Sequence, residues 1–175
     1  PGLALAPFAA AYFSAERVHP LFRALWQPRL IAALERFEGW IADDSAEDRT
    51  VLASEIDGEM TFDGVKVMGR ADRIDRMADG SLGIVDYKTG VAAAKPEPDW
   101  SRSRPVNVQL PFYASVLADA AGGEVAGLVL AQIHARQVAA QGLADEDLGM
   151  EGVTLAAESK YFDGLSWPEI RQRWR

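Results

Sequence analysis

The sequence predicts an α/β fold in which a mixed β-sheet is flanked by helices on both faces. Three patterns support this prediction. Apolar residues recur at helical spacing between 20 and 41, alternate with polar residues between 50 and 87, and form an almost continuous run from 125 to 133. Such a run is typical of a strand covered on both faces, and the order helix–strand–strand–strand–helix–strand places helices on each side of one sheet.

The length of 175 residues fits a single domain of ordinary globular composition. Within it we distinguish a helical segment, residues 1–45, an α/β core, residues 50–134, and a peripheral C-terminal segment, residues 135–175, where the pattern weakens. Because the chain opens on Pro1-Gly2 without a methionine, we expect it to be part of a longer protein.

Prolines and glycines mark where the helices begin and end. Pro20 suits the first turn of a helix, and Pro28 is expected to divide the helical stretch into two packed segments. Two later helices are expected, one from about 106 to 120 that ends at Gly122-Gly123 and one that begins at Ser166, which has capping-box spacing to Glu169.

Two Asp-Gly pairs interrupt the alternating stretch and predict hairpin turns. They divide it into three strands, and a connection rich in proline and charge follows. The predicted strands cover 50–62, 65–77 and 82–87, the turns lie at Asp63-Gly64 and Asp79-Gly80, and the connection runs from 89 to about 105.

The composition excludes several classes of site. With no cysteine, the chain has no disulfide, no thiolate zinc site and no iron–sulfur cluster. The net charge of −8 argues against a nonspecific nucleic-acid coat, although residues 69–104 carry seven cations against six anions and are the segment best suited to a polyanion. No apolar run approaches the roughly 18 residues of a membrane span, and no secretory start is present, so we expect a cytoplasmic protein without a membrane partner.

The second hairpin decides whether two aspartates share one face of the sheet. A two-residue loop at Asp79-Gly80 would turn Asp86 away from Asp72. A three-residue loop that begins at Ala78 puts Gly80 where a left-handed residue is needed, and it places Asp72 directly opposite Asp86. We favour the three-residue loop. Lys88 then lies on the same face, because it is two residues from Asp86 on one strand.

The first hairpin adds a third carboxylate to this row. A two-residue turn at Asp63-Gly64 pairs Glu55 with Asp72. Like charges directly opposite one another destabilise a sheet, and hard divalent cations bind oxygen ligands of this kind. We therefore expect Glu55, Asp72 and Asp86 to converge on a cation, with solvated acids on a strand face as the simpler alternative.

These residues also carry a resemblance. Gly69-Arg-Ala-Asp72, followed by Asp86-Tyr-Lys88 and then by Gln109-Leu-Pro-Phe-Tyr113, resembles the signature of the PD-(D/E)XK nuclease superfamily. The likeness is strongest to the nuclease domains of RecB- and AddB-type helicase–nucleases, and it covers about residues 54–120. It implies a restriction-endonuclease-like core and a metal-dependent DNA nuclease, within a helicase–nuclease that processes double-strand breaks together with a partner subunit.

The resemblance also implies a role for each residue. Asp72 and Asp86 would bind Mg²⁺ or Mn²⁺, Lys88 would orient water and offset phosphate charge, and Gln109 would lie beside them in the catalytic group. Glu55 and the carbonyl oxygen of Tyr87 would be further metal ligands. The DNA contacts would be Tyr113, Arg70, Arg102 and Arg104.

The sequence departs from the family pattern at one place. Relatives carry a helix upstream with a histidine that helps to hold the metal, and His19 lies in surroundings unlike that motif, so we interpret it as a helix-start residue. This departure leaves an alternative open: a nuclease fold that is catalytically inactive and serves as a structural or DNA-guiding domain.

Overall fold

The computed structural model describes residues 5–15, 18–43, 49–90 and 95–174, which contain six strands, six α-helices and one 3₁₀-helix, Ala156–Glu158. Pro1 and Gly2 lie outside these ranges. The helices are α1 (Leu5–Ala15), α2 (Pro20–Leu25), α3 (Gln27–Asp43), α4 (Glu97–Trp100), α5 (Gln109–Ala121) and α6 (Trp167–Arg173). The strands are β1 (Arg49–Phe62), β2 (Val65–Met77), β3 (Leu82–Lys88), β4 (Val125–His134), β5 (Gln137–Ala144) and β6 (Val153–Leu155).

The strands form one mixed sheet in the order β1-β2-β3-β4-β5-β6. Neighbouring strands are antiparallel except for two parallel pairs, β3 with β4 and β5 with β6. A parallel pair needs a crossover connection, and α5 provides it between β3 and β4. The predicted α/β class and the mixed sheet are therefore confirmed.

Each face of the sheet buries its own core. On one face α5 covers Ile74, Ile84 and Leu128 of the sheet. Trp100 and Trp167, which lie outside the sheet, belong to the same buried cluster. The other face holds a smaller cluster, of which Val85, Val129 and Leu148 are members, with Trp40 of α3 and Tyr87 packed against it. Because β4 lies between the two clusters, its first eight residues are all buried, which explains the continuous apolar run in the sequence.

The predicted helix boundaries lie within about three residues of the observed ones: the helix expected from 106 begins at Gln109, and the division expected at Pro28 lies at Trp26. The chain breaks between α2 and α3 at Trp26, and Pro28 lies in the first turn of α3, where its missing N–H is tolerated. At the other end, the Ser166 backbone N–H and hydroxyl both donate to the Glu169 carboxylate, at 2.8 and 2.6 Å, within a capping box. Among the described residues, no helix is long and apolar enough to cross a membrane.

The C-terminal segment is a correction to the prediction. Instead of lying at the periphery, 137–144 pairs with β4 along its whole length, and Phe162, Trp167 and Ile170 are buried in the core under α5. The strand was missed because it is built largely of alanine, glycine and glutamine, which give little hydrophobic alternation. The short α4 was also missed, whereas α1 lies within the segment predicted to be helical, residues 1–45.

Candidate active site

The turn between β2 and β3 brings two aspartates together. Arg73 pairs with Val85 and Ile74 with Ile84, which is the register of the three-residue loop, and Gly80 adopts a φ of 90° in that loop. Ile74 and Ile84 both lie in the core under α5. Asp72 is two residues from Ile74 on β2, and Asp86 is two residues from Ile84 on β3, so both aspartates belong to the same face.

The Asp72 carboxylate is held across the hairpin. The backbone N–H of Tyr87 donates a hydrogen bond of 2.7 Å to its Oδ2 atom. This bond fixes Asp72 beside the Asp86-Tyr87-Lys88 segment. Asp72 is half-buried, whereas Asp86 is only 2% exposed.

Asp86 is the centre of a side-chain network. The Gln109 side-chain amide donates to Asp86 Oδ1 at 2.8 Å and to the Tyr113 hydroxyl at 3.0 Å. The Lys88 ammonium donates to Gln109 Oε1 at 2.7 Å and lies 2.5 Å from Asp86 Oδ2. Gln109 and Tyr113 are one helical turn apart on α5, so a single helix face closes the network over the sheet.

One oxygen of this network is left without a well-formed hydrogen bond. Asp86 Oδ2 is buried and accepts none from the described residues, although Lys88 is its close ionic neighbour. Burial raises the pKa of Asp86, the Lys88 charge opposes that rise, and the nearby Asp72 charge adds to it. Two adjacent carboxylates, one with an unsatisfied oxygen, are a donor set that suits a hard divalent cation, since Mg²⁺ is usually held by one or two carboxylates and by water.

Glu55 does not join this group, contrary to the predicted row of three carboxylates. The pairs on either side, Ser54 with Arg73 and Ile56 with Ala71, have the predicted register. Glu55 itself has a φ of 53°, its side chain is 75% exposed, and its Oε2 atom lies 3.8 Å from the Arg70 guanidinium. No three acidic or histidine side chains of the described ranges are grouped for metal binding. Turning Glu55 outward avoids a third negative charge opposite Asp72.

The chain's two histidines are both engaged elsewhere. His19 caps the start of α2, where its Nδ1 atom accepts from the Leu21 N–H at 3.2 Å, as its predicted role requires. His134 accepts from the Arg136 N–H in the turn after β4, also at 3.2 Å.

Comparison with known proteins decides the family. The model of the PD-(D/E)XK nuclease superfamily matches residues 3–171, which is nearly the whole chain. The chain belongs to this superfamily. Its predicted membership and its restriction-endonuclease-like core are thereby confirmed.

Three curated relatives carry more specific names. Each is named as a subunit of an ATP-dependent helicase/deoxyribonuclease of Streptococcus agalactiae, from serotypes Ia, V and III, and each is 39% identical to this chain over 61 residues. The match covers 35% of this chain and 5% of each relative, so the chain corresponds to a small part of those proteins. A solved structure, SSO0001, is similar over 78% of this chain and 62% of its own, with 18% identity and a TM-score of 0.36.

Gly69, the first residue of the predicted motif, lets α5 approach the sheet. A Cβ atom on Gly69 would lie 2.7 Å from the Tyr113 ring and 3.0 Å from the Phe112 ring. One on Gly58, its partner across the β1–β2 ladder, would lie 2.4 Å from Leu117. Real Cβ atoms are not found so close, so a side chain at either position would force the facing residues of α5 to shift.

The three arginines expected to contact DNA lie on the surface. Arg70 is bound through two hydrogen bonds, of 2.7 and 3.2 Å, to Asp57 on the neighbouring strand. Arg102 lies 3.2 Å from Asp99 and is 60% exposed, and Arg104 is exposed in the same loop. None of them is part of the network around Asp86.

A buried charge network on the other face of the sheet was missed by the sequence reasoning. Arg73 donates two hydrogen bonds, of 2.6 and 2.7 Å, to Asp75, which is completely buried, and Arg49 approaches the same carboxylate at 3.6 Å. A signal was present, because opposite charges two residues apart on a strand share one face.

Proposed function

We propose that this chain is a divalent-metal-dependent nuclease domain that hydrolyses phosphodiester bonds in DNA, within a helicase–nuclease that processes double-strand breaks. One observation carries the proposal: Asp86 is buried with an unsatisfied oxygen, next to Asp72 and to the Lys88 ammonium. Membership in a nuclease superfamily and the names of the curated relatives support it.

The cation we propose is Mg²⁺ or Mn²⁺. Asp72, Asp86 and the carbonyl oxygen of Tyr87 would hold it. When bound, it supplies positive charge that polarises the scissile phosphate and lowers the pKa of water. Glu55 is not included in this ligand set, because its side chain is turned to solvent beside Arg70.

The positively charged side chain that we place beside the scissile phosphate is Lys88. Its side chain is 37% exposed, so the ammonium reaches solvent while it remains bound to Gln109 and Asp86. From there it orients a water for in-line attack and offsets the negative charge that develops on the phosphoryl oxygens. Lys88 is not a metal ligand, so its removal should impair hydrolysis more than cation binding.

Gln109 and Tyr113 keep these groups in place. The Gln109 amide uses its oxygen for Lys88 and its nitrogen for Asp86, which fixes the distance between the two charges. The Tyr113 hydroxyl accepts from the same nitrogen and sets the orientation of the amide. Tyr113 is buried in the core with only 8% exposure, which disfavours the predicted DNA contact and supports a positioning role.

The loop before α5 supports DNA contacts by Arg102 and Arg104. Both acids of this stretch are engaged by the protein itself: Glu97 is buried and accepts from Thr154 and Ser159 at 2.9 Å, and Asp99 accepts the Asn107 N–H at 2.8 Å. The exposed charges of this loop are therefore mainly cationic, which suits phosphate contacts.

The alternative is a nuclease fold that has lost activity and guides DNA or supports its neighbours. The net charge of −8 favours it, since phosphate contact normally needs a basic surface, and the exposed position of Glu55 leaves one carboxylate fewer for a cation. The intact group of Asp72, Asp86 and Lys88 favours activity.

Degradation of linear DNA distinguishes the two. We expect wild-type protein, preferably within its full-length parent, to degrade linear DNA with Mg²⁺ and not with EDTA. Asp86→Ala should abolish cleavage and leave the fold intact, because it removes one of two crowded acids. Unchanged cleavage by Asp86→Ala would overturn the assignment of this site, and an inactive wild-type parent would favour the guiding role.

A further inference from the structure

Tyr87 connects the two faces of the sheet. Its backbone N–H holds Asp72 on the α5 face, and it lies between Asp86 and Lys88 in the chain. Its ring lies on the opposite face, where it packs edge-on against Phe37 of α3 with a centroid distance of 5.3 Å. A shift of the Tyr87 backbone would therefore change the position of the Asp72 carboxylate.

Arg73 meets the Tyr87 ring on that opposite face. Its guanidinium donates to the Tyr87 hydroxyl at 3.4 Å, a long hydrogen bond, while two short ones bind it to Asp75. Arg73 is 8% exposed and Asp75 0% exposed. A guanidinium forked onto a buried carboxylate has little freedom, so it offers the hydroxyl a fixed partner.

The burial of these charges argues for more than structural support. Arg49 and Arg73 both bind the Asp75 carboxylate in the interior of the protein. Buried ion pairs are seldom more stabilising than apolar residues of similar volume, because desolvation opposes their attraction. Such a network does provide a defined geometry. The hydrogen bond from Arg73 to the Tyr87 hydroxyl connects it to Tyr87, which lies between Asp86 and Lys88 of the candidate active site.

We propose that Arg73, fixed by Asp75, is a positioning residue that acts through the Tyr87 hydroxyl to hold the Tyr87 N–H against the Asp72 carboxylate. Its effect on cation binding rests on the proposed function. Its effect on the Tyr87 N–H does not, because that hydrogen bond exists without a cation.

Three variants test this role. Tyr87→Phe removes only the hydroxyl and keeps the ring against Phe37. Arg73→Met removes the guanidinium but risks unfolding, because the buried Asp75 then loses its two short hydrogen bonds. Arg76→Met is the matched control: Arg76 is on the same strand, binds the Ala121 carbonyl oxygen at 3.1 Å, and has no contact with Tyr87 among the interactions described.

The first readout is hydrogen exchange of the Tyr87 amide in metal-free protein, measured by NMR as a ratio to the Val129 amide. Val129 is buried at the centre of β4, so its exchange reports global unfolding and corrects for lost stability. We expect the ratio to rise about tenfold in Tyr87→Phe and in Arg73→Met, and not in Arg76→Met.

The second readout is Mn²⁺ affinity by calorimetry, which should fall about tenfold in Tyr87→Phe and stay unchanged in Arg76→Met. An exchange ratio in Tyr87→Phe equal to that of wild type would overturn the inference and leave the nuclease proposal standing. If wild type bound no Mn²⁺, the proposed function would fail, and the exchange ratio would still decide the role of Arg73.

Discussion

The two ends of the β2–β3 hairpin contrast in size and in chemistry. At the turn end, a cavity of about 750 Å³ opens beside Asp79, Asp145 and Glu146. Its acids are exposed, and two of them accept hydrogen bonds: Asp79 accepts from the Ser81 N–H at 2.8 Å, and Glu146 accepts from the Ser81 hydroxyl at 3.0 Å.

At the other end, the strands carry Asp72 and Asp86 under α5, where Asp86 keeps a buried oxygen without a proper hydrogen bond. The two ends also shift carboxyl pKa values in opposite directions: hydrogen bonds from Ser81 lower the pKa of Asp79, and burial raises that of Asp86. The comparison teaches that a buried carboxylate with a raised pKa and a neighbouring cation is a better guide to a reactive site than the volume of a cavity.

The largest effect should come from Lys88. Lys88→Met should lower the rate of DNA cleavage by about 100-fold or more, because it removes a charge aimed at the phosphate. Lys160→Met, an exposed lysine near Tyr161, should leave the rate unchanged. Steady-state cleavage of linear DNA with Mg²⁺ measures both, and equal rates in the two variants would contradict the assigned role.

The next effect concerns the approach of α5. Gly69→Ala should destabilise the protein by about 1–3 kcal/mol, since the new methyl group collides with the rings of Phe112 and Tyr113. The displaced helix should also lower the cleavage rate.

Gly39→Ala is the control for that change. Gly39 is a residue of α3 with open space around it, so alanine should stabilise the fold by up to about 1 kcal/mol. Urea denaturation compares the two variants, and a Gly69→Ala protein as stable as wild type would show that α5 does not need the glycine.

Much of the fold could be predicted, because it follows from local signals. The Asp-Gly turns set the register of both hairpins, and the apolar run from 125 to 133 identified the central strand. The strand β5 could not be found in this way, because its burial depends on contacts with β4, Leu148 and Met150 rather than on a pattern of its own.

The site was predicted less completely, for two physical reasons. Turn arithmetic assumes an unbroken ladder, and the positive φ of Glu55 breaks it at the position where the third carboxylate was expected. Alternation also cannot tell a solvated acid from a buried one, so it gave no sign that Asp75 lies in the interior, where Arg73 and Arg49 hold it.

A smaller effect on stability distinguishes two aspartates near the site. In metal-free protein, Asp86→Asn should raise Tm by a few degrees, because it removes a buried charge that burial and Asp72 both disfavour. Asp99→Asn should lower Tm, because hydrogen bonds from the Asn107 and Val106 N–H groups hold the pKa of Asp99 below its usual value.

The pH dependence of Asp99 follows from the direction of that shift. A carboxyl with a lowered folded-state pKa stabilises the protein above its ordinary pKa, and this contribution is lost as pH falls through the lowered value. Wild type should therefore lose more Tm than Asp99→Asn when the pH falls below about 4. Parallel Tm curves for the two proteins would contradict this prediction.

The smallest effect should be that of Glu55. Glu55→Gln should change Mn²⁺ affinity by less than about twofold, because a screened, exposed charge contributes little at a distance. A loss of Mn²⁺ affinity as large as that expected for Asp72→Asn or Asp86→Asn would show that Glu55 is a metal ligand. Calorimetry at fixed ionic strength makes this comparison.

The most direct test of the comparison is calorimetric titration with Mn²⁺ of wild type and of acid variants at both ends of the hairpin. One cation per chain should bind wild type, and both Asp72→Asn and Asp86→Asn should weaken it by about tenfold or more. Asp145→Asn and Glu146→Gln, at the large cavity, should bind as wild type does. Affinity lost in the cavity variants and kept in Asp72→Asn and Asp86→Asn would contradict the placement of the site.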